Sequence, residues 1–235
     1  MISDKNIKIS QEAKFFIKKE KILLIKKFSD IEKYPPSEDP FSVFMAGSPG
    51  AGKTEFSLRW IKVMSPVKIV RIDADEIKKI IPHYNGKNSD IVQGAASLGV
   101  EKIYDHVLKN NQNAIIDGTF ANYRIAGENI RRSIKRNRKV GIFYIYQDPI
   151  LAWDFARKRE KLEGRYMPKE AFIKSFFDAR KSVQLAKKEF GDKIELNLVI
   201  KDSKNKDAKI EFDINNIDKF IKINYNKQTL SAILC

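Results

Sequence analysis

Residues 47–54 read Gly-Ser-Pro-Gly-Ala-Gly-Lys-Thr, and this octapeptide limits the fold more than any other segment. Its Gly-x-x-x-x-Gly-Lys-Thr spacing is that of a phosphate-binding loop. An apolar stretch, residues 41–46, precedes it, and a helix-patterned stretch, residues 53–63, follows. The context matters physically. Glycine lets the backbone wrap closely around an anion where a side chain would clash. The amides at the start of the following helix then direct partial positive charge at that anion. Gly47, Ser48, Pro49, Gly50, Ala51, Gly52, Lys53 and Thr54 are therefore the candidate nucleotide-binding residues. Lys53 is placed to reach the β- and γ-phosphates and the Thr54 hydroxyl to ligate magnesium. The competing reading is a glycine-rich turn that matches by coincidence, and the flanking pattern weighs against it.

From residue 41 onward, strand-like and helix-like patterns alternate. Apolar runs suited to buried strands fall at 41–46, 67–72, 114–116, 140–146 and 194–200. Helical patterns fall at 53–63, 91–109, 129–136, 150–162 and 168–190, with Pro168 suited to a first helical turn and Gly191 to a helix end. The alternation predicts an α/β fold, a parallel sheet covered by helices on both faces. Ahead of it, residues 10–33 read as one helix capped by Ser10 and stopped by Pro35 and Pro36. The expected organisation is an N-terminal helical extension and linker (1–40), a P-loop domain (41–202), and an extension (203–235) packed on it as an edge strand or terminal helix.

Composition narrows the setting. The 235 residues are 43 % apolar, as in an ordinary folded domain. No run of about 18 apolar residues offers a membrane span, and residues 1–10 lack the apolar core of a secretory signal. The one cysteine, Cys235, and the two histidines, His83 and His106, offer neither an internal disulfide nor a zinc site. The expected compartment is the reducing cytoplasm. The net charge of +15 attracts phosphorylated metabolites, nucleic acid or anionic lipid, or serves solubility alone. The basic run at 131–139 reads as an exposed helix end in preference to a nucleic-acid contact.

Two strands lead into carboxylates: Asp73-Ala74-Asp75-Glu76 follows 67–72, and Asp117-Gly118-Thr119 follows 114–116. Ligands of open α/β sheets bind beyond the carboxyl ends of the strands, on the phosphate loop's side. Asp73 suits a helix cap, whereas Asp75 suits a base toward an acceptor hydroxyl. Arg157, Arg159 and Arg165 flank a break at Gly164 between two helices. Folded over a triphosphate, such arginines would stabilise the charge of a transferring phosphoryl group. Composition alone favours a solvated face with Glu160 and Glu163 as ion-pair partners.

Together these motifs resemble the zeta toxin family, over residues from about 41 to about 202. The resemblance rests on the 47–54 loop, Ile72-Asp73-Ala74-Asp75, Ile116-Asp117-Gly118-Thr119, and Arg157 followed by Gly164-Arg165-Tyr166-Met167-Pro168. It implies a bacterial toxin that uses ATP, with GTP as an alternative, and magnesium. The implied reaction phosphorylates the 3′-hydroxyl of the amino sugar in UDP-N-acetylglucosamine, obstructing cell-wall synthesis, and a small antitoxin covers the nucleotide site. It makes Asp75 the base, Lys53 and Thr54 the phosphate and magnesium residues, and Arg157 and Arg165 the transition-state residues, with Arg159 a competing match for the first. Glu101, Asp117 and Thr119 fall among the substrate contacts. The sequence departs from the family where Asp117 replaces a frequent glutamate and where Phe120-Ala121 replaces an arginine contact, for which Arg124 is the nearest substitute. Two rivals are a kinase of nucleic-acid ends or other nucleotides, and a nucleotide-dependent binding module without transfer. The Asn-Lys-x-Asp guanine motif is absent, since Asn205-Lys206-Asp207 lacks the spacer.

Overall fold

The run at Phe41–Ala46 forms strand β1, which is buried along all but its first residue. In the computed structural model, which describes residues 4–204 and 206–234, β1 lies within a six-stranded sheet. Two helices precede it, α1 (Asp4–Lys19) and α2 (Lys21–Phe28). After it come α3 (Lys53–Val63), β2 (Ile69–Asp73), α4 (Ala74–Lys78), α5 (Gln93–Lys109) and β3 (Asn113–Asp117). The chain continues through α6 (Tyr123–Ile134), β4 (Lys139–Tyr146), α7 (Pro149–Glu163), α8 (Lys169–Phe190), β5 (Glu195–Lys201), β6 (Asp207–Glu211) and α9 (Lys227–Ile233).

The sheet order is β2-β3-β1-β4-β5-β6. The first five strands are parallel and β6 is antiparallel to β5. Successive residues of a strand face opposite sides. In β1 this sends Val43 and Met45 toward Phe56 of α3, and Phe44 and Ala46 into the larger core with α1, α5 and α8. A third apolar cluster joins Trp153 of α7, Phe172 and Phe176 of α8, and Leu230 of α9. The segment after residue 202 thus contributes both an edge strand and a short helix. No helix among the described residues is long and apolar enough to cross a membrane.

The parallel register sets the site. Asp73 at the end of β2 lies opposite Asp117 at the end of β3, and β3 neighbours β1. Both carboxylates therefore stand at the sheet edge from which the phosphate loop emerges.

Several boundaries differ from those expected of the sequence. The first helix begins at Asp4, so Ser10 is interior to it, and it breaks at Glu20 (φ −91°, ψ 33°). Asp4 suits the first turn because a carboxylate there opposes the helix dipole. Helix α6 begins at Tyr123, ahead of the expected 129, because the Asn122 side chain accepts a hydrogen bond from Ile125 N at 3.3 Å. Pro168 is the N-cap of α8 and lies just outside the helix. The basic run at 131–139 is not uniformly exposed. Arg138 is buried and donates to Phe41 O at 2.5 Å, Gln112 O at 2.6 Å and Ser42 Oγ at 2.8 Å. It satisfies carbonyls at the end of the sheet opposite the phosphate loop, a demand invisible in a run of lysines and arginines.

The N-terminal helices belong to the main core: Ala13, Ile17 and Leu24 are buried in it. Leu24 is 0 % exposed and Phe15, on the outer face, is 67 % exposed. Leu24→Ala should lower the unfolding free energy by about 2–5 kcal/mol, whereas Phe15→Ala should change it by less than about 0.5 kcal/mol. Urea titration of both variants checks this. Equal, small effects would mean that α2 is not part of the cooperative unit.

Candidate active site

The loop between β1 and α3 is built around glycines that cannot be replaced. Gly47 (φ +137°) would place a Cβ 2.4 Å from Ile145 O, and Gly50 (φ +76°) would place one 2.0 Å from Ala152 O. Gly52, with φ +83°, is the left-handed N-cap of α3. The loop is anchored by Gly47 N, which donates to Thr119 O at 3.1 Å. At the first turn of α3, the Lys53 ammonium donates to Ser48 O at 2.7 Å, folded back along the loop. Burial pushes Lys53 down to about 8, opposed by the charge of Asp117 and reinforced by that of Arg159. This cation is short of counter-charge, which suits the site to a polyanion.

Opposite the loop, Arg71 of β2 holds the two strand-end carboxylates. It donates to Asp73 Oδ2 at 2.6 Å, and to Asp117 Oδ2 at 2.5 Å from Nη2 and 3.0 Å from Nε. Ser57 Oγ adds a 2.9 Å bond to the same Asp117 oxygen. Asp73 also caps α4, its Oδ1 accepting from Asp75 N at 2.8 Å. Burial raises the Asp73 carboxyl against the pull of Arg71, with Asp117 and Asp75 adding to the rise. Asp73 is thus a cap and a strut. Asp75, one residue into α4, faces the cleft and is gripped by Lys78 at 3.2 Å and by Arg165. Burial would raise its carboxyl, but Arg165 first, then Lys78 and Arg159, hold it below the ordinary value.

The lid comes from the end of α7 and the connection to α8. Gly164 (φ +71°) ends α7 and turns the chain, and Arg165 follows, bonded to Asp75 and to Glu163 at 2.9 Å. Arg157 and Arg159 are separated by about 200° around the helix, so one turn presents only one of them to the cleft. Arg159 is the one that lines it. Arg157 points elsewhere, pairing with Glu160 at 2.5 Å and lying 5.6 Å from the Trp153 ring centroid. Arg157, expected from the sequence to act on the phosphoryl group, thus lies outside the cleft lining, and its competing match Arg159 lies within it.

The resulting cleft has a volume of about 390 Å³ and brings together Lys53, Thr54, Asp75, Asp117, Thr119, Arg159 and Arg165. Glu101 is not among its residues. It lies on an exposed face of α5 in a separate groove, with Arg124 and Arg132 of α6. Lys78, Ser89, Asp90 and Gln93 also line the cleft, and the sequence motifs did not single them out. Lys78 carried a signal, since three residues on from Asp75 places it on the same helical face.

The residues suit a triphosphate and magnesium. Among the described residues no cluster of three or more His, Cys, Asp or Glu could form a protein-only metal site. Magnesium takes phosphate oxygens and water with few protein ligands, and the Thr54 hydroxyl in the cleft is a side chain that could serve as one.

A parallel sheet with this loop, a buried lysine and arginines on a helix–turn–helix defines a P-loop kinase-like fold. The chain belongs to the Zeta toxin family, whose model matches residues 25–215. Among solved structures it resembles one from the PezAT chromosomal toxin–antitoxin system of Streptococcus pneumoniae, at 18 % identity and a TM-score of 0.63 over 93 % of this chain and 86 % of that one. It also resembles the AvrRxo1-ORF1:AvrRxo1-ORF2 complex with ATP, at 12 % identity and a TM-score of 0.60 over 96 % and 73 % of the two chains. No curated protein matches.

The folded value of Lys53 lies below its ordinary 10.5, so the unfolded chain binds more protons between about 8 and 10.5. Stability relative to Lys53→Met should therefore rise with pH across that interval. In an NMR titration the Lys53 side chain should titrate near 8 and move upward when ATP is added. A midpoint near 10.5 without nucleotide would contradict the burial of this ammonium.

Proposed function

We propose that this chain is an ATP-dependent kinase acting as the toxin of a toxin–antitoxin pair in the cytoplasm. Its acceptor is a sugar hydroxyl of a nucleotide sugar, the 3′-hydroxyl of UDP-N-acetylglucosamine. The observation that carries the reading is the convergence of Lys53, Asp75, Arg159 and Arg165 on one cleft beyond the carboxyl ends of β1–β3. Family membership supports the sugar nucleotide, and the neighbouring toxin–antitoxin structure supports a small protein antitoxin as partner.

In this reading residues 47–54 cradle the ATP phosphates. The Thr54 hydroxyl would hold magnesium, which would supply positive charge to offset that of the phosphates. Asp75, kept ionised by its cationic neighbours, accepts the proton of the acceptor hydroxyl. The hydroxyl oxygen bonds to the γ-phosphorus as the bond to the β–γ bridging oxygen breaks, and ADP leaves with that electron pair. Lys53, Arg159 and Arg165 stabilise the charge on the passing phosphoryl group. Asp117 and Thr119 stand at the acceptor side. Glu101 falls outside this set because it opens onto another groove.

Purified protein with ATP and magnesium should convert UDP-N-acetylglucosamine to a species heavier by one phosphate, and Lys53→Ala should abolish this with the fold retained. Phosphate appearing on oligonucleotide ends instead would favour the nucleic-acid kinase that the charge of +15 suggests. In single-turnover measurements Asp75→Asn should cost about 10²–10⁴-fold with ATP affinity near wild type. Arg159→Ala and Arg165→Ala should both be slow and Arg157→Ala mild. A severe Arg157 defect beside a silent Arg159 would contradict the helix phase that turns Arg159 into the cleft.

A further inference from the structure

One buried cation in the cleft has so far entered only as a charge beside Asp75. Lys78 is the last residue of α4 and only 4 % exposed. Lysine ordinarily extends its ammonium to water, and burying that charge is costly unless it is paired and hydrogen-bonded. In this cleft Nζ donates to Asp75 Oδ1 at 3.2 Å and to Ser89 Oγ at 2.8 Å. Ser89 is itself buried, and its position is fixed by the turns around it. Ser89 N donates to Gly86 O at 3.2 Å, Asn85 and Asn88 exchange bonds of 3.0 and 3.2 Å, and Asn88 Nδ2 donates to His83 O at 2.9 Å. The Asp75 carboxylate is thus held from two directions: Oδ1 from the floor by Lys78, Oδ2 from the lid by Arg165.

The two grips are not equivalent. Arg165 sits on the connection between α7 and α8, and the phosphoryl group needs its guanidinium. Lys78 is enclosed, and its second partner lies on the cleft floor. The other charges near Asp75 act on it through space, Lys53 and Arg159 as cations and Asp73 as an anion. We propose that Lys78, braced by Ser89, is a positioning residue for phosphoryl transfer: it fixes Asp75 Oδ1 so that the carboxylate keeps its aim without relying on Arg165. The inference rests on the reading of Asp75 as the base.

The test is single-turnover transfer from ATP to UDP-N-acetylglucosamine, or to water if the sugar nucleotide is not phosphorylated. The variants are Asp75→Asn, Lys78→Met, Ser89→Ala and the double variant Asp75→Asn/Lys78→Met, each with its thermal midpoint recorded. Lys78→Met should slow transfer by about 10–100-fold, the scale of a misaimed reacting group, with the KM for ATP unchanged. Ser89→Ala should slow it less, in the same direction, and serves as the test if Lys78→Met does not fold. The double variant should be no slower than Asp75→Asn alone, because Lys78 acts through that carboxylate. A wild-type rate in folded Lys78→Met, or in Ser89→Ala if Lys78→Met does not fold, would overturn the inference. So would a double variant slower than Asp75→Asn by the full Lys78→Met factor. A fully active Asp75→Asn would overturn the base reading itself and is told apart by that single variant.

Discussion

The close approach of the phosphate loop to its own scaffold governs the rest of the site. Gly47 lies against the Ile145 carbonyl of β4, and Gly50 against the Ala152 carbonyl of α7. Neither position has room for one added carbon, so backbone packs on backbone there. The consequence reaches beyond phosphate binding. Because α7 leans directly on Gly50, its rotation about its own axis is fixed, and that rotation decides which arginine of the next turns looks into the cleft. The loop thus positions the lysine at its own terminus and bears on Arg159, about two turns further along α7.

Charge in the cleft is arranged by burial as much as by pairing. Arg71 takes up Asp73 and Asp117 together, an arrangement that the β2–β3 register makes possible by placing the two carboxylates side by side. That leaves Asp75, two residues beyond Asp73, with cations of its own, and Lys53 with too little negative charge nearby. A half-buried carboxylate kept ionised and an ammonium pushed toward neutrality are opposite outcomes of partial desolvation, decided by the neighbours.

Much of this is readable from residues alone where a single physical demand dominates. The loop at 47–54 and strand β1 are legible because glycine clearance and burial on both faces leave few alternatives. Asp73 as a cap is legible from its place before a helix. The choice between Arg157 and Arg159 is not, because both fit a charged turn and the phase is set by tertiary packing, of α7 on Gly50 and of Trp153 on α8. Glu101 fails for the same reason: its place on α5 follows from the pattern, but the face it occupies depends on how α5 packs on α1 and α4. The burial of Arg138 and of Lys78 is hidden by composition, since in a lysine-rich chain a buried cation looks like any exposed one. The break at Glu20 and the early start of α1 depend on tertiary packing that local pattern does not encode.

The central claim is that the cleft holds a phosphoryl-transfer centre whose acceptor is a sugar nucleotide. The most direct measurement is a mass-spectrometric comparison of nucleotide-sugar pools in cells expressing the wild-type chain and cells expressing Lys53→Ala. The account predicts that UDP-N-acetylglucosamine falls and a species heavier by one phosphate accumulates with the wild type alone. Unchanged pools in cells that contain the folded wild-type protein with no antitoxin co-expressed would contradict it.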